Sequence, residues 1–194
     1  MSVIGAKNLF VEHSTFSGTN GSDPQAGIDF EPNAPGNRLV NITLSNVTLA
    51  DNSGHGIRMG TNRLAVHGPK RHPTQLGPGY APTDFVFKDV HIHRSKQGGL
   101  YWDNMGEWTV SGQLLMQRVT IEDTVQAGLQ LEGLAADHHR IAMEEVMIRR
   151  TAVVGWGMNP RTPSSAAPIV LGDPEHGNLA LNFLVGTISF GGGC

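Results

Sequence analysis

The chain has 194 residues and a net charge of −3, and only 16% of its residues are charged. This length suits a single domain with one buried core. No run of Lys or Arg forms the basic stripe typical of nucleic-acid-binding proteins, so we expect no nucleic-acid partner. No apolar stretch is long enough to span a membrane, and residues 1–7 lack the charged and apolar regions of a signal peptide. The single cysteine, Cys194, excludes an internal disulfide framework and a CxxC metal site.

A spacing pattern of apolar residues and glycine recurs five times along the chain. Each copy has two short runs of alternating apolar residues, then a glycine seven residues after the second run (eleven in the first copy), then a third apolar run. The alternation predicts half-buried strands, because the copies are too short and too rich in glycine for amphipathic helices. The glycine predicts a tight corner, where a side chain would clash or φ is positive. In chain order the copies begin at Leu9, Ile42, Phe85, Leu114 and Ile141.

Each copy is predicted to form one turn of a solenoid, whose inward residues stack on their equivalents in the neighbouring turns. The core turn is about 27 residues long, so the surplus residues form outer loops. The longest insertion, residues 60–83, is too long for a bare connector, which favours a functional loop. Residues 179–190 are predicted to begin a sixth turn, with an extra strand at 168–171 before it.

Four stretches carry a resemblance to a known family: residues 8–16, 27–33, 38–57 and 167–171. They resemble bacterial right-handed parallel β-helix repeat proteins of the pectin-lyase-like superfamily. With the repeat, this resemblance predicts an all-β, single-domain, right-handed parallel β-helix over residues 1–194, with about six turns and three short parallel sheets. It implies an extracellular or periplasmic location and relatives longer than this chain. We therefore expect a fragment whose open strand edges can pair with another chain.

One strip of surface is chemically richer than the other outward positions. Equivalent residues on the third strands of successive turns lie in columns about 4.8 Å apart. This places carboxylates, a guanidinium, a phenol and an amide side by side, which favours a groove that binds a polysaccharide or oligosaccharide. The first column is Asp29, Arg58, Tyr101, Gln130 and Gly157, and the second is Glu31, Gly60, Asp103, Glu132 and Asn159.

Paired carboxylates in such a groove favour a glycoside hydrolase, because two acids in different surroundings can divide the acid and base roles. We expect Asp103, Glu132 and Glu31 to be catalytic. Asp103 and Glu132 lie on adjacent turns, about 5 Å apart in the backbone, which is compatible with a retaining pair. Glu31 and Asp103 lie two turns apart, at roughly 10 Å, near the inverting range. The expected substrate-binding residues are Asp29, Arg58, Tyr101, Trp108, Gln130 and Asn159.

Two other functions stay open for the same strip. The resemblance also implies a lyase, which would use a Ca²⁺ site built from carboxylates and an Arg or Lys as the base. Asp23, Asp29 and Glu31 lie close to one another in the sequence, and Arg58 lies on the next turn. The chain can instead be a non-catalytic carbohydrate-binding or adhesin-like module. No cofactor is expected for a hydrolase, and Ca²⁺ is expected only for a lyase.

A metal site is not assigned. His91 and His93 point outward two residues apart, with Glu122 in the column of His93 on the next turn. Two histidines and a carboxylate can hold zinc, but a solvent-facing pair has the same pattern, and no third nitrogen or sulfur ligand is evident.

Overall fold

A computed structural model describes residues 1–34, 36–64, 83–103, 111–132 and 139–151, together with the backbone of residues 169–171, 184–185 and 188–191. This part of the chain is all-β, with one 3₁₀ turn at Asn62–Leu64. It contains no helix that is long and apolar enough to cross a membrane. The strands are β1 (Ser2–Val3), β2 (Ala6–Ser17), β3 (Ile28–Phe30), β4 (Leu39–Ala50), β5 (Ile57–Gly60), β6 (Thr83–His93), β7 (Leu100–Asp103), β8 (Gly112–Gln117), β9 (Thr120–Glu122), β10 (Leu129–Glu132), β11 (His139–Glu144), β12 (Val146–Arg149), β13 (Ile169–Leu171), β14 (Leu184–Val185) and β15 (Ile188–Gly191).

The paired strands all run parallel and form two sheets. The six-stranded sheet has the order β1-β3-β5-β7-β10-β13. The nine-stranded sheet contains the first two predicted strands of every turn. In β2, β4 and β6 these two strands form one continuous strand, whereas in later turns they are separate. The described part of the chain is thus a parallel β-solenoid, as predicted, but it has about four turns rather than about six, and two sheets rather than three, because the first two strands of each turn lie in the same sheet.

The predicted register is confirmed for the first strand of each copy. Phe85 pairs with Ile42 on one side and with Leu114 on the other, and Leu114 pairs with Ile141. Trp102 points inward as predicted and is 0% exposed. Because a one-residue slip would turn each apolar set toward solvent, burial of these side chains fixes the register. The largest fully buried side chains are Trp102, Phe30, Phe85, Phe87, Ile28, Leu39, Ile42, Leu44, Leu49, Ile57, Met59 and Ile92.

The bend between the first and second strands of a turn is formed by a residue in the left-handed region. Asn46 has φ of 53°, and the equivalent residues Asp89 and Arg118 both have φ of 51°. Asp89 and Arg118 are also joined by two hydrogen bonds of 2.7 and 2.8 Å. The break in apolar alternation therefore does mark a bend.

The third strand of the fifth copy of the repeat differs from the prediction. The sequence pattern placed it near Gly155 and Gly157, but Gln130 pairs with Val170, and β13 follows β10 in the six-stranded sheet. Two glycines weaken a strand, whereas the β-branched Ile169 and Val170 favour one. The strands predicted at residues 179–190 are present as β14 and β15, which pair with β11 and β12.

The glycine before each third strand is required by close packing between turns. A Cβ added at Gly99 would lie 2.3 Å from Ile121 Cγ2 and 2.4 Å from the carbonyl oxygen of Gly128. At Gly56 an added Cβ would lie 2.2 Å from Ile92 Cγ2. Both distances are far below van der Waals contact, so the turns stack this closely only because the side chain is absent.

The substitution Gly99→Ala is expected to destabilise the solenoid by about 2–3 kcal/mol, because the added methyl overpacks the contact between two turns. Chemical denaturation followed by circular dichroism measures the change. Gly21→Ala is the matched control, since an added Cβ there meets nothing within 4 Å. Equal stability of the two variants would contradict the close-packing explanation.

Candidate functional site

The candidate site lies on the outward face of the six-stranded sheet. Asp29 pairs with Arg58, Arg58 with Tyr101, and Tyr101 with Gln130. Two residues further along the strands, Asp103 pairs with Gly60 on β5 and with Glu132 on β10, and Glu31 follows β3 directly. The strands thus bring together seven of the predicted site residues: Asp29, Arg58, Tyr101, Gln130, Glu31, Asp103 and Glu132. Trp108, Gly157 and Asn159 lie outside the described residues.

Glu132 is held by donors on both of its carboxylate oxygens. The Tyr101 hydroxyl donates to Glu132 Oε2 at 2.9 Å, and Gln130 Nε2 donates to Glu132 Oε1. Burial of Tyr101 and the negative charges of Asp103 and Glu132 raise the pKa of the phenol far above its usual range. Tyr101 therefore keeps its proton and acts as a donor, which fixes the direction of the Glu132 carboxylate.

A second pair of acids lies beside Arg58. Arg58 Nη1 is 3.7 Å from Asp29 Oδ1 and 3.7 Å from Glu31 Oε1. Asp29 was predicted to be outward and accessible, but it is only 4% exposed, and its Oδ1 has no hydrogen-bond partner. Burial, and after it the charge of Glu31, raise the pKa of Asp29 to about 6, against the opposing effect of Arg58. Asp29 is thus an acid that holds a proton in mildly acidic solution.

Gly60 leaves a gap between two acids of the second column. Glu31 and Asp103 lie one strand away from it on opposite sides, so their backbones are about 9.6 Å apart. The nearest atom to an added Cβ at Gly60 is Arg58 Nη2 at 3.8 Å. The missing side chain of Gly60 therefore leaves space between the two acids, with Arg58 beside it.

His55 belongs to the site but was not predicted. Its ring lies against that of Tyr101, with centroids 5.0 Å apart and planes at 37°, and its Nδ1 accepts the backbone N–H of Gly98 at 3.1 Å. Burial and then the charge of Arg58 lower the pKa of His55 to about 4. Because Nδ1 is the acceptor, the neutral ring carries its proton on Nε2. One signal was present in the sequence, since the equivalent residues before the other corner glycines are small: Ala26, Gly98 and Ala127.

The predicted neighbours His91, His93 and Glu122 do meet, but as an ion-pair cluster. His91 Nε2 lies 2.8 Å from Glu122 Oε1, and the His91 and His93 rings are stacked at 4.5 Å. Glu122 Oε2 accepts from Arg149 Nε at 2.6 Å and from Arg150 Nη2 at 2.7 Å. Two guanidinium groups thus donate hydrogen bonds to the same oxygen of the Glu122 carboxylate. Within the described ranges, no group of three or more His, Cys, Asp or Glu residues could hold a metal ion.

Asp29 and His55 are expected to have opposite effects on how the free energy of unfolding depends on pH. The folded state binds the Asp29 proton more tightly than the unfolded state, so stability from this group is lost as pH rises from about 4 to about 6. For His55 the unfolded state binds the proton more tightly, so stability is lost as pH falls from about 6.5 to about 4. Each slope is at most about 1.4 kcal/mol per pH unit, and in the unmodified chain the two oppose each other.

The variant Asp29→Asn removes one of these slopes. Relative to the unmodified chain, its free energy of unfolding is expected to increase with pH between about 4 and 6. Urea denaturation at a series of pH values measures the difference. His55→Gln is the reciprocal variant and is expected to show the opposite difference over the same range. Parallel pH profiles for all three proteins would show that neither group titrates as its surroundings indicate.

In comparisons with known proteins, no protein-family model, no curated protein and no solved structure matches this chain.

Proposed function

We propose that this β-solenoid is a carbohydrate-active protein of the pectin-lyase-like type that hydrolyses glycosidic bonds of a polysaccharide or oligosaccharide. The observation that carries the proposal is the pairing of Asp103 with Glu132 on adjacent parallel strands, with the Tyr101 hydroxyl bound to Glu132. Two acids about 4.8 Å apart in the backbone suit a retaining glycosidase, in which the carboxyl groups are about 5–5.5 Å apart. Polysaccharide substrates also agree with action outside the cytoplasm, which the family resemblance implies.

In this proposal Glu132 is the nucleophile and Asp103 is the acid and base. Glu132 attacks the anomeric carbon, while Asp103 gives a proton to the departing glycosidic oxygen. A water that Asp103 then deprotonates releases the sugar from Glu132. Tyr101 and Gln130 support the nucleophile by holding its two oxygens in one orientation before substrate binds.

The acids beside Arg58 are proposed to bind the sugar. Glu31 is partly exposed and can accept hydrogen bonds from sugar hydroxyls, and Arg58 can donate them. The strip continues without interruption over β3, β5, β7 and β10. An extended chain of sugars fits such a strip better than a single small molecule.

The charges beside Arg58 favour hydrolysis over Ca²⁺-assisted β-elimination. A calcium site needs the negative charge of several carboxylates, but Arg58 lies 3.7 Å from both Asp29 and Glu31 and offsets their charge. Asp23, the third acid of that alternative, is exposed in the loop before β3.

Reducing-sugar release over a panel of polysaccharides tests the proposal. The unmodified chain is expected to cleave at least one of them, with retention of anomeric configuration seen by NMR. Inversion would instead favour Glu31 and Asp103 as the pair. Unsaturated products that absorb in the near ultraviolet and disappear with chelator would support a lyase. Binding without any cleavage would reject catalysis and leave a carbohydrate-binding module.

A further inference from the structure

The nine-stranded sheet carries a second outward surface that the proposed site does not use. It consists of three rows of side chains across β2, β4, β6, β8 and β11, which we call the lateral face. The registers of these five strands align the rows. The middle row is Phe10, Thr43, Val86, Leu115 and Ala142, the leading row is Asn8, Asn41, Asp84, Gln113 and Arg140, and the trailing row is Glu12, Ser45, Lys88, Gln117 and Glu144.

The middle row is apolar for an outward surface. Phe10 is 57% exposed, and Val86, Leu115 and Ala142 are partly exposed. Four of its five residues are apolar. Around Leu115 the face has a depression of about 180 Å³. Of the middle row, Val86, Leu115 and Ala142 line this depression. Aligned exposed apolar side chains between polar rows are typical of a surface that another molecule covers.

The charges in the outer rows alternate in sign. On β6, Asp84 stands in the leading row and Lys88 in the trailing row, whereas on β11 Arg140 leads and Glu144 trails. The strand between them, β8, has glutamine in both rows. Each charged residue of the leading row therefore has a residue of opposite charge in the trailing row of the same strand.

We infer that the lateral face binds a second copy of this chain, side by side with parallel solenoid axes. A twofold axis along the middle row places each leading-row residue opposite the trailing-row residue of the same strand in the partner. Asp84 then faces Lys88 of the partner subunit, and Arg140 faces Glu144 of the partner subunit. The apolar row faces its own copy along its whole length, so both charge and apolar area are self-complementary.

The size of the face predicts a weak dimer. Five strands at about 4.8 Å and five residues at about 3.3 Å cover about 400 Å² per copy. The total of about 800 Å² is below that of stable complexes, which bury about 1,200–2,000 Å². We expect a dissociation constant of about 10 µM to 1 mM. Salt is expected to weaken the dimer further, because it screens the charge pairs.

Sedimentation velocity over a concentration series tests the dimer. The unmodified chain is expected to shift from monomer to dimer as concentration rises. The variant Arg140→Glu places like charges opposite each other twice per dimer and is expected to raise the dissociation constant about tenfold or more. The double variant Arg140→Glu/Glu144→Arg exchanges the charges and is expected to restore the dimer. Arg63→Glu, an exposed reversal in the 3₁₀ turn, is the control for net charge.

Each other outcome counts against the inference. A monomer at every concentration, or a dimer that Arg140→Glu leaves unchanged, would overturn it. Loss of the dimer without rescue by the double variant would overturn the side-by-side orientation, because a twofold axis along the strands places Arg140 opposite Asp84 of the partner subunit. NMR shifts of Leu115 on addition of oligosaccharide to a monomeric chain would assign the face to sugar instead.

Discussion

The variant Ile121→Asp is expected to be unfolded at neutral pH. Ile121 is 0% exposed and stacks between Ile92 and Ile148 of the neighbouring turns. A carboxylate there has no partner, and burial of such a charge costs several kcal/mol or more. This approaches the whole stability of a domain, which is about 5–15 kcal/mol. Far-ultraviolet circular dichroism and thermal unfolding measure the effect.

The matched control for this variant is Met147→Asp. Met147 is outward and 39% exposed, and it precedes Ile148, the residue that pairs with Ile121. A carboxylate at position 147 stays in water, so this variant is expected to fold with a stability within about 0.5 kcal/mol of the unmodified chain. A cooperative melt for Ile121→Asp at the temperature of the unmodified chain would contradict the inward assignment of this column.

The variant Glu132→Gln is expected to lose catalysis and keep its fold. The amide can still accept the Tyr101 hydrogen bond, and the side chain is partly exposed on an outward column. Loss of the nucleophile is expected to lower kcat by about 10³-fold or more, toward the upper end of what one positioned carboxyl contributes. The measurements are kcat on the cleaved polysaccharide and the melting temperature. Glu12→Gln, an exposed Glu→Gln change on the nine-stranded sheet, is the control.

Chemical rescue separates a nucleophile from a structural carboxylate. In Glu132→Ala, added azide is expected to restore turnover and give a glycosyl azide of inverted configuration, because the small anion takes the place of the missing side chain. A kcat of Glu132→Gln equal to that of Glu12→Gln would remove Glu132 from the reaction. The proposed function would then need another acid pair of the strip, with Glu31 and Asp103 as the next candidates.

The register of the solenoid could be predicted from the sequence because burial leaves little choice. The inward positions must be apolar in every turn, and the corner glycine fixes where the third strand begins. The columns through Tyr101 and through Asp103 were therefore predictable from the alignment of the copies as far as β10, where the strands pair as that alignment requires.

The third strand of the fifth copy could not be placed from the repeat. A period defines the core of a turn but not the length of an outer loop, so the next third strand could lie at any later apolar run. The pattern favoured Gly155 as the corner glycine, whereas β13 begins at Ile169. Loop length is set by local turn chemistry and not by the contacts that the repeat records.

The burial of individual site residues could not be predicted from one column alone. Asp29 is covered because β1 and the Arg58 side chain lie on either side of it. His55 is buried because Gly98 leaves room for its ring, which then reaches Tyr101. Both effects depend on side-chain directions in the neighbouring turns, which spacing along the sequence does not specify.

A crystal structure of Glu132→Gln with a bound oligosaccharide of the cleaved polysaccharide tests the proposed site most directly. The sugar is expected along β5, β7 and β10, with a glycosidic oxygen within hydrogen-bond distance of Asp103 and the anomeric carbon facing position 132. A sugar bound on the nine-stranded sheet, or one whose scissile bond lies away from Asp103, would contradict the account.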